Sequence, residues 1–277
     1  MDQLLNVLVF GILLGGIYGL VSIGLNLIFG VIRIVNFAQG ELVMFGMYAT
    51  YAAYTWWGIS PYVSVFAVAP LIGLLGVAIQ RLVIQPLQHE SNMQIFATFG
   101  LLMLFQNLML ALTRGEALSV GGDIGAVTLD AGDLKISAVR LVTLVATTLI
   151  TVGLHLFLSR TMAGKSIRAV TQDKRAARVM GINVEKTFLL TFGIGAALTG
   201  MAGALLTPIY SITPTVGGNF ILAAFCGGLG GALAVMALGH IEPNFSFWTT
   251  SGEFVFVAIL GGWQSVTALF LASTVLE

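Results

Sequence analysis

Ala163-Gly164-Lys165-Ser166 carries the residue types that close a phosphate-binding loop, in which glycine amides cradle phosphates and a lysine neutralises them. That motif needs a glycine five residues before its Gly-Lys-Ser end, and Ser159 stands there. It also needs a strand in front of it, whereas an apolar run of membrane length precedes it here. Nucleotide binding by this chain is rejected, so any ATP-driven step requires a separate polypeptide. His89, His155 and His240 are scattered, and the single Cys226 completes no metal set. No Ser/His/Asp or Cys/His arrangement can be assembled, so the residues indicate no catalysis, no metal and no cofactor. Glu41 and Glu253 border apolar runs. A carboxyl group within a span is a functional candidate by default, and one at the interface is merely solvated. Both readings stand.

The remaining polar chemistry is concentrated in two places. Arg33-Ile-Val-Asn36-Phe37-Ala38-Gln39-Gly40-Glu41 is a short polar patch between apolar stretches. It reads either as a break in a discontinuous span, with Gly40 and Glu41 opening a half-helix on a translocation path, or as a plain turn anchored by Arg33. Asn36 and Gln39 have the amide groups that a broken backbone would need as partners. The second place is Ser159 to Lys186, which holds seven of the twelve Lys and Arg residues. Positive charge concentrated between spans assigns that segment to the cytoplasmic side. Within it Asp173 is a candidate N-cap, Lys174 to Met180 favours helix, and Gly181 suits a left-handed C-cap. Ala176, Val179 and Met180 then share one face, and Lys174, Arg175 and Arg178 project elsewhere. A short amphipathic helix at that surface is something another protein can push on.

Composition fixes the setting of both patches. Hydrophobic residues make up 57% of the chain and charged residues 9%, and mean hydropathy is +0.98. Soluble domains carry about 25% charged residues, so the chain is expected to lie in a membrane. Apolar runs near span length predict helices rather than the alternating pattern of a membrane barrel. The net charge of zero gives no nucleic-acid footprint. The expected fold is all-α and polytopic, with about eight transmembrane helices, some of them open to a broken reading.

In chain order the first span runs from Leu4 to Phe29, with Gly11, Gly15 and Gly19 as a small-residue stripe. Asp2 offers no basic leader, so this run reads as retained. Leu42 to Trp57 is apolar, and Pro61 to Ile79 is a span with Pro70 as a kink site. Arg81 to Asn92 reads as a polar connection, followed by a span from Met93 to Thr113 containing Gln94, Thr98, Gln106 and Asn107. Those four line a path or hydrogen-bond across helices. Residues 114–137 are acid-rich and are assigned to the periplasmic side, with a hairpin around Asp130-Ala-Gly132-Asp133. After the span from Ala138 to Leu158 comes the basic segment, residues 159–187. Phe188 to Leu206 is the most closely packable span, because Gly195, Thr199 and Gly203 recur every four residues. Pro208 to Asn219 is a turn, and two apolar stretches complete the chain.

With these residues in view the chain resembles a known family. Gly24 to Tyr48 (GLNLIFGVIRIVNFAQGELVMFGMY), together with the basic segment and Thr207 to Asn219, resembles the LivH-type permease of bacterial branched-chain amino-acid ABC importers. Ala176-Ala177-Arg178-Val179-Met180-Gly181 resembles the core of the coupling loop of such permeases, with Arg175 where many have Glu. The resemblance implies a non-enzymatic permease subunit in the bacterial inner membrane. It also implies a companion permease, two cytoplasmic ATP-binding subunits and a periplasmic amino-acid-binding protein. The implied substrates are leucine, isoleucine and valine. Residues 226–277 depart from the pattern, and Gly239 to Glu253 resembles the companion, LivM-type permease. This predicts a junction of two paralogous permeases near Cys226. A self-contained secondary transporter and a non-functional chimera are the competing readings.

Overall fold

A computed structural model of the chain describes residues 19–33, 36–88, 90–120, 128–131 and 134–220. The stripe at Gly11 and Gly15, the histidines His89 and His240, Glu253 and the departure at residues 226–277 lie outside the described residues. Helix α1 (Gly19–Ile32) leads into α2 (Gln39–Trp57), α3 (Pro61–Ile79) and α4 (Ser91–Thr113). A two-stranded hairpin, β1 (Thr128–Ala131) and β2 (Leu134–Ser137), precedes α5 (Ala138–Arg160). Then come α6 (Met162–Gln172), α7 (Lys174–Val179) and α8 (Val184–Leu206). Four of the described helices are long and apolar enough to cross a membrane. The chain is a helical, multi-pass membrane protein.

Helix α8 is the centre. Two-thirds (67%) of its most apolar window is buried, against 17% for α4 and 22% for α5. Its small residues make this possible, because helices in lipid associate through close backbone packing rather than hydrophobic drive. Gly200 abuts Gly46 of α2, backbone against backbone. A Cβ on Gly193 would stand 2.7 Å from Val77 of α3, and one on Gly195 would stand 2.8 Å from the Gly24 carbonyl of α1. The small-residue spacing predicted for α8 thus serves three neighbours at once. Helices α4 and α5 instead present Phe96, Leu112, Val145 and Leu149 outward, as lipid-facing or partner-facing spans do.

Two expectations need correction. The span beginning at Pro61 does not end at Ile79 but continues to Leu87 through a π turn (Gln80–Ile84) and a 3-10 turn (Gln85–Leu87). A π turn shifts the backbone register and frees carbonyls. Gln94 of α4 donates to the Ile84 carbonyl at 3.2 Å, so Gln94 is a cross-helix partner. Thr98 and Asn107 donate to carbonyls of their own helix, those of Ile95 and Met103. The second correction is α6, a helix within the basic segment whose buried residues recur at helical spacing. The Thr161 hydroxyl caps it by accepting from the Gly164 amide at 3.0 Å, and Gly164, Ile167 and Val170 are its buried positions. Gly164 packs on the backbone of Leu158, so the Gly-Lys-Ser sequence is a helix start folded against the end of α5.

The hairpin lies where the turn residues predict it, with Leu129 opposite Ile136 and Asp130 opposite Lys135. Elsewhere, Leu118 and Ile212 exchange backbone hydrogen bonds of 3.0 and 2.7 Å. They tie the segment after α4 to the turn after α8.

Candidate functional site

The polar patch separates two helices. Helix α1 ends at Ile32, Arg33 takes a left-handed φ of 64°, and helix resumes only at Gln39. Left-handed backbone is uncommon outside glycine and costs about 1 kcal/mol or more, so the chain leaves α1 at a strained residue. Asn36 closes the gap by accepting from the Ala38 amide (3.1 Å) and donating to Gln39 Oε1 (3.1 Å). Gln39 Nε2 then donates to Thr199 Oγ1 and, at 3.4 Å, to the Gly195 carbonyl of α8. Asn36, Gln39 and Glu41 are each no more than 1% exposed. Both amide hydrogens of Gln39 are thus engaged, and its oxygen accepts from Asn36.

Depth is set by helix geometry. Gly24 packs at the level of Thr199 and Gly195, and the axis of α1 runs roughly 12 Å from there to Ile32 at its end. Gln39, which also lies against Gly24, is therefore at the level of the middle of α1 rather than its end. Asn36 and Ala38 to Glu41 are buried, and Phe37 is half-buried.

Glu41 is the unusual member. Its Oε2 has no hydrogen-bond partner among the described residues. Its Oε1 faces Gly217, where a Cβ would come within 2.9 Å, and the Gly40 carbonyl is as close at 2.7 Å. Gly217 lies in the helical turn at residues 216–220, so two helix starts meet at a buried carboxyl. Sequence reading placed Asn36, Gln39, Gly40 and Glu41 together but missed Thr199 and Gly217 as their neighbours. The four-residue spacing that includes Thr199 is visible in the sequence, and it reads there as packing alone.

The second group lies on α6 and α7. Asp173 Oδ1 accepts from the Arg175 amide at 2.7 Å and the Ala176 amide at 3.1 Å. At the other end Gly181 has φ 82°. The Gly181 amide bonds the Arg178 carbonyl and the Ile182 amide bonds the Ala177 carbonyl, which is the Schellman pattern. Both caps stand at the predicted residues. The faces differ from the expectation in one respect. Ala177 points inward at 4% exposure, whereas Val179 and Met180 are 86% and 81% exposed, and Ala176 and Arg175 are less buried than Ala177 beside them. Helix α7 rests on α6 and α8, and no periodicity within so short a helix encodes which face turns inward.

The Ala176 and Arg175 amides hold the Asp173 carboxyl below the ordinary aspartate range, and the Arg175 charge adds to this. With a folded pKa below the unfolded one, the cap contributes fully above the unfolded value and is lost as pH falls through the folded value. Hydrogen-exchange protection of the Arg175 and Ala176 amides is expected to collapse only in that acidic window. In Asp173→Asn, which caps without ionising, protection should persist through it. A wild-type profile as flat as that of the asparagine variant would show that ionisation of Asp173 does not hold the cap.

One contact joins the two groups. Lys174 Nζ donates to the Ile32 carbonyl at 3.2 Å and stands 5.0 Å over the Phe188 ring. Burial, with the Arg33 charge as a second cause, holds its pKa below the ordinary lysine value. The contact spans 142 positions of sequence, and nothing in the local pattern announces it.

Residues 7–219 match the family described as branched-chain amino acid transport system / permease component. The chain is 29% identical over 253 residues to the high-affinity branched-chain amino acid transport system permease protein BraD of Pseudomonas aeruginosa, covering 85% of this chain and 82% of BraD. It is also 29% identical to the permease protein LivH of Salmonella typhimurium, covering 83% and 81%. A probable branched-chain amino acid transport permease protein LivH of Methanocaldococcus jannaschii is 28% identical, covering 92% of this chain and 78% of that protein. No solved structure matches the chain. With a matched region that takes in the break, α8 and the capped α7, the chain belongs to the family of branched-chain amino acid transport permease components.

Proposed function

We propose that the chain is a transmembrane permease subunit of an ATP-driven importer of leucine, isoleucine and valine in the bacterial inner membrane. The observation that carries this reading is α7, capped at both ends and presenting Val179 and Met180 to solvent on the most basic segment of a family member. Such a helix suits a groove in a cytoplasmic ATPase, and residues 159–187 are the coupling segment. Residues 114–137 face the periplasm and the substrate-binding protein. A companion permease completes the path, two ATPase subunits drive it, and membrane lipid surrounds the roughly eight spans. Asn36, Gln39, Gly40 and Glu41 line the path in its closed state. Residues 226–277 are a companion-type end joined near Cys226.

Reconstitution tests the whole reading. Proteoliposomes containing this chain, its companion permease, the ATPases and the binding protein are expected to accumulate labelled leucine only when ATP reaches the ATPases. ATP-independent uptake driven by a pH gradient, without the ATPases, would establish the secondary-transporter reading instead. A correctly inserted chain that assembles with no partner would establish the chimera.

A further inference from the structure

We propose that Lys174 is a positioning residue that conveys the movement of α7 to the end of α1 at Ile32 and Arg33, and so to the polar residues Asn36 and Gln39. The inference rests on the permease reading above and assigns one side chain as the link. Lys174 is the first residue of α7, directly after the Asp173 cap. A rigid, doubly capped helix moves as a unit, so displacement at Val179 and Met180 displaces Lys174. Its ammonium donates to the Ile32 carbonyl, one of the terminal acceptors that α1 cannot satisfy within itself. A cation at a helix C-terminus also complements the helix dipole. The Phe188 ring of α8 lies beneath the same ammonium, so the side chain spans α7, α1 and α8.

The backbone just past Ile32 makes this contact consequential. Arg33 is in the left-handed region, and Gln39, six positions further on, holds α8 through Thr199 and Gly195. Strained backbone persists only while its surroundings fix it. Lys174 fixes one side of Arg33, and Asn36 with Gln39 fixes the other. Withdrawing the ammonium leaves the Ile32 carbonyl without its partner and Arg33 free to relax, and the segment that carries Gln39 is loosened. Arg33 is itself a cation near Lys174, and this repulsion favours release once α7 is drawn away. On α7, Val179 and Met180 are exposed and Ala177 is buried beneath its own helix, so Lys174 is the side chain placed to reach α1.

Two variants test the link in the complete importer. Lys174→Met keeps the apolar stem and removes charge and donors, whereas Lys174→Arg retains both. In Lys174→Met, assembly and ATP hydrolysis should remain near wild type while leucine taken up per ATP falls about tenfold, within the range that coupling positions modulate. Lys174→Arg should restore most of that ratio. An unchanged ratio in Lys174→Met would overturn the proposal. So would loss of assembly and hydrolysis together, which would make Lys174 a docking or folding residue.

A second measurement needs no ATPase and separates this inference from the wider function. In the permease alone, with Cys226 replaced by serine and Ala38→Cys as reporter, the buried thiol should react slowly with a small hydrophilic reagent. Adding Lys174→Met should raise that rate several-fold. Equal rates would show that Lys174 does not hold the break closed, whatever the importer carries. Failure of wild-type uptake with a raised labelling rate would instead reject the importer and leave the link standing.

Discussion

Leucine at Gly46 or Gly200 is expected to leave no monodisperse protein after detergent extraction, whereas leucine at Gly100 or Gly153 should behave as wild type. All four glycines lie in apolar helices of the same chain, and helix propensity favours the leucine by up to about 1 kcal/mol at each. What differs is the space. Nothing lies within 4 Å of a Cβ built at Gly100 or Gly153, so a leucine there meets only the surroundings of the bundle. At Gly46 the obstacle is the backbone of Gly200, and at Gly200 it is Ile72, whose Cβ would lie 2.6 Å away. Overpacking costs about 1–3 kcal/mol when side chains can give way, and more where they cannot. A backbone does not rotate aside, so α2 must separate from α8 along its length. The loss then includes the Gln39 contacts as well as local packing. Size-exclusion profiles and melting temperatures of the purified chain decide the matter. A Gly46→Leu protein that melts with the wild type would show that α2 and α8 do not meet backbone to backbone.

Some of this architecture is readable in the sequence and the rest is concealed, and the division tracks the range of the physics. The caps of α7 depend on Asp173, Gly181 and the amides beside them, so they can be read within nine residues. The hairpin depends on its turn residues, and the role of α8 as the centre depends on small residues at fixed spacing. All three are local rules. Helix α6 is legible in principle, since Gly164, Ile167 and Val170 recur every three residues behind the Thr161 cap, but a dense run of basic charge masks that stripe as a loop. The π turn is hidden because Gln80 and Arg81 look like the end of a span, and the Gln94 side chain that satisfies its freed carbonyl comes from the next helix. Of the candidate site, the membership of Asn36 to Glu41 is legible as an anomaly of polarity. Their partners Thr199, Gly195 and Gly217 are not, because tertiary packing alone brings together residues so far apart in sequence. The inward turn of Ala177 belongs to the same class, since it is decided by what α7 rests on.

Because Ala177 points inward, docking has to be tested elsewhere on α7. Ala177→Asp would place a carboxylate at a position already buried within this chain, so a lost complex in that variant would report damage to α7 itself. Val179→Asp combined with Met180→Asp addresses the outer face. These two side chains are largely exposed, so the variant should insert, extract and melt like the wild type. If α7 seats in an ATPase groove, each side chain contributes about 1.5–3 kcal/mol on burial. Each replacement removes that and adds an unpaired charge to a desolvated surface. At about 1.4 kcal/mol per factor of ten, the pair together should weaken ATPase binding by at least about a hundredfold, enough to abolish co-purification. Arg175→Ala, on the same helix but without an apolar surface to lose, should cost far less. Equal ATPase affinity in the doubly charged variant and the wild type, measured on folded protein, would show that α7 does not dock through Val179 and Met180. Its exposed face would then belong to anionic lipid, whose attraction to the surrounding lysines and arginines falls steeply with added salt, and a salt titration of binding to anionic vesicles would show it.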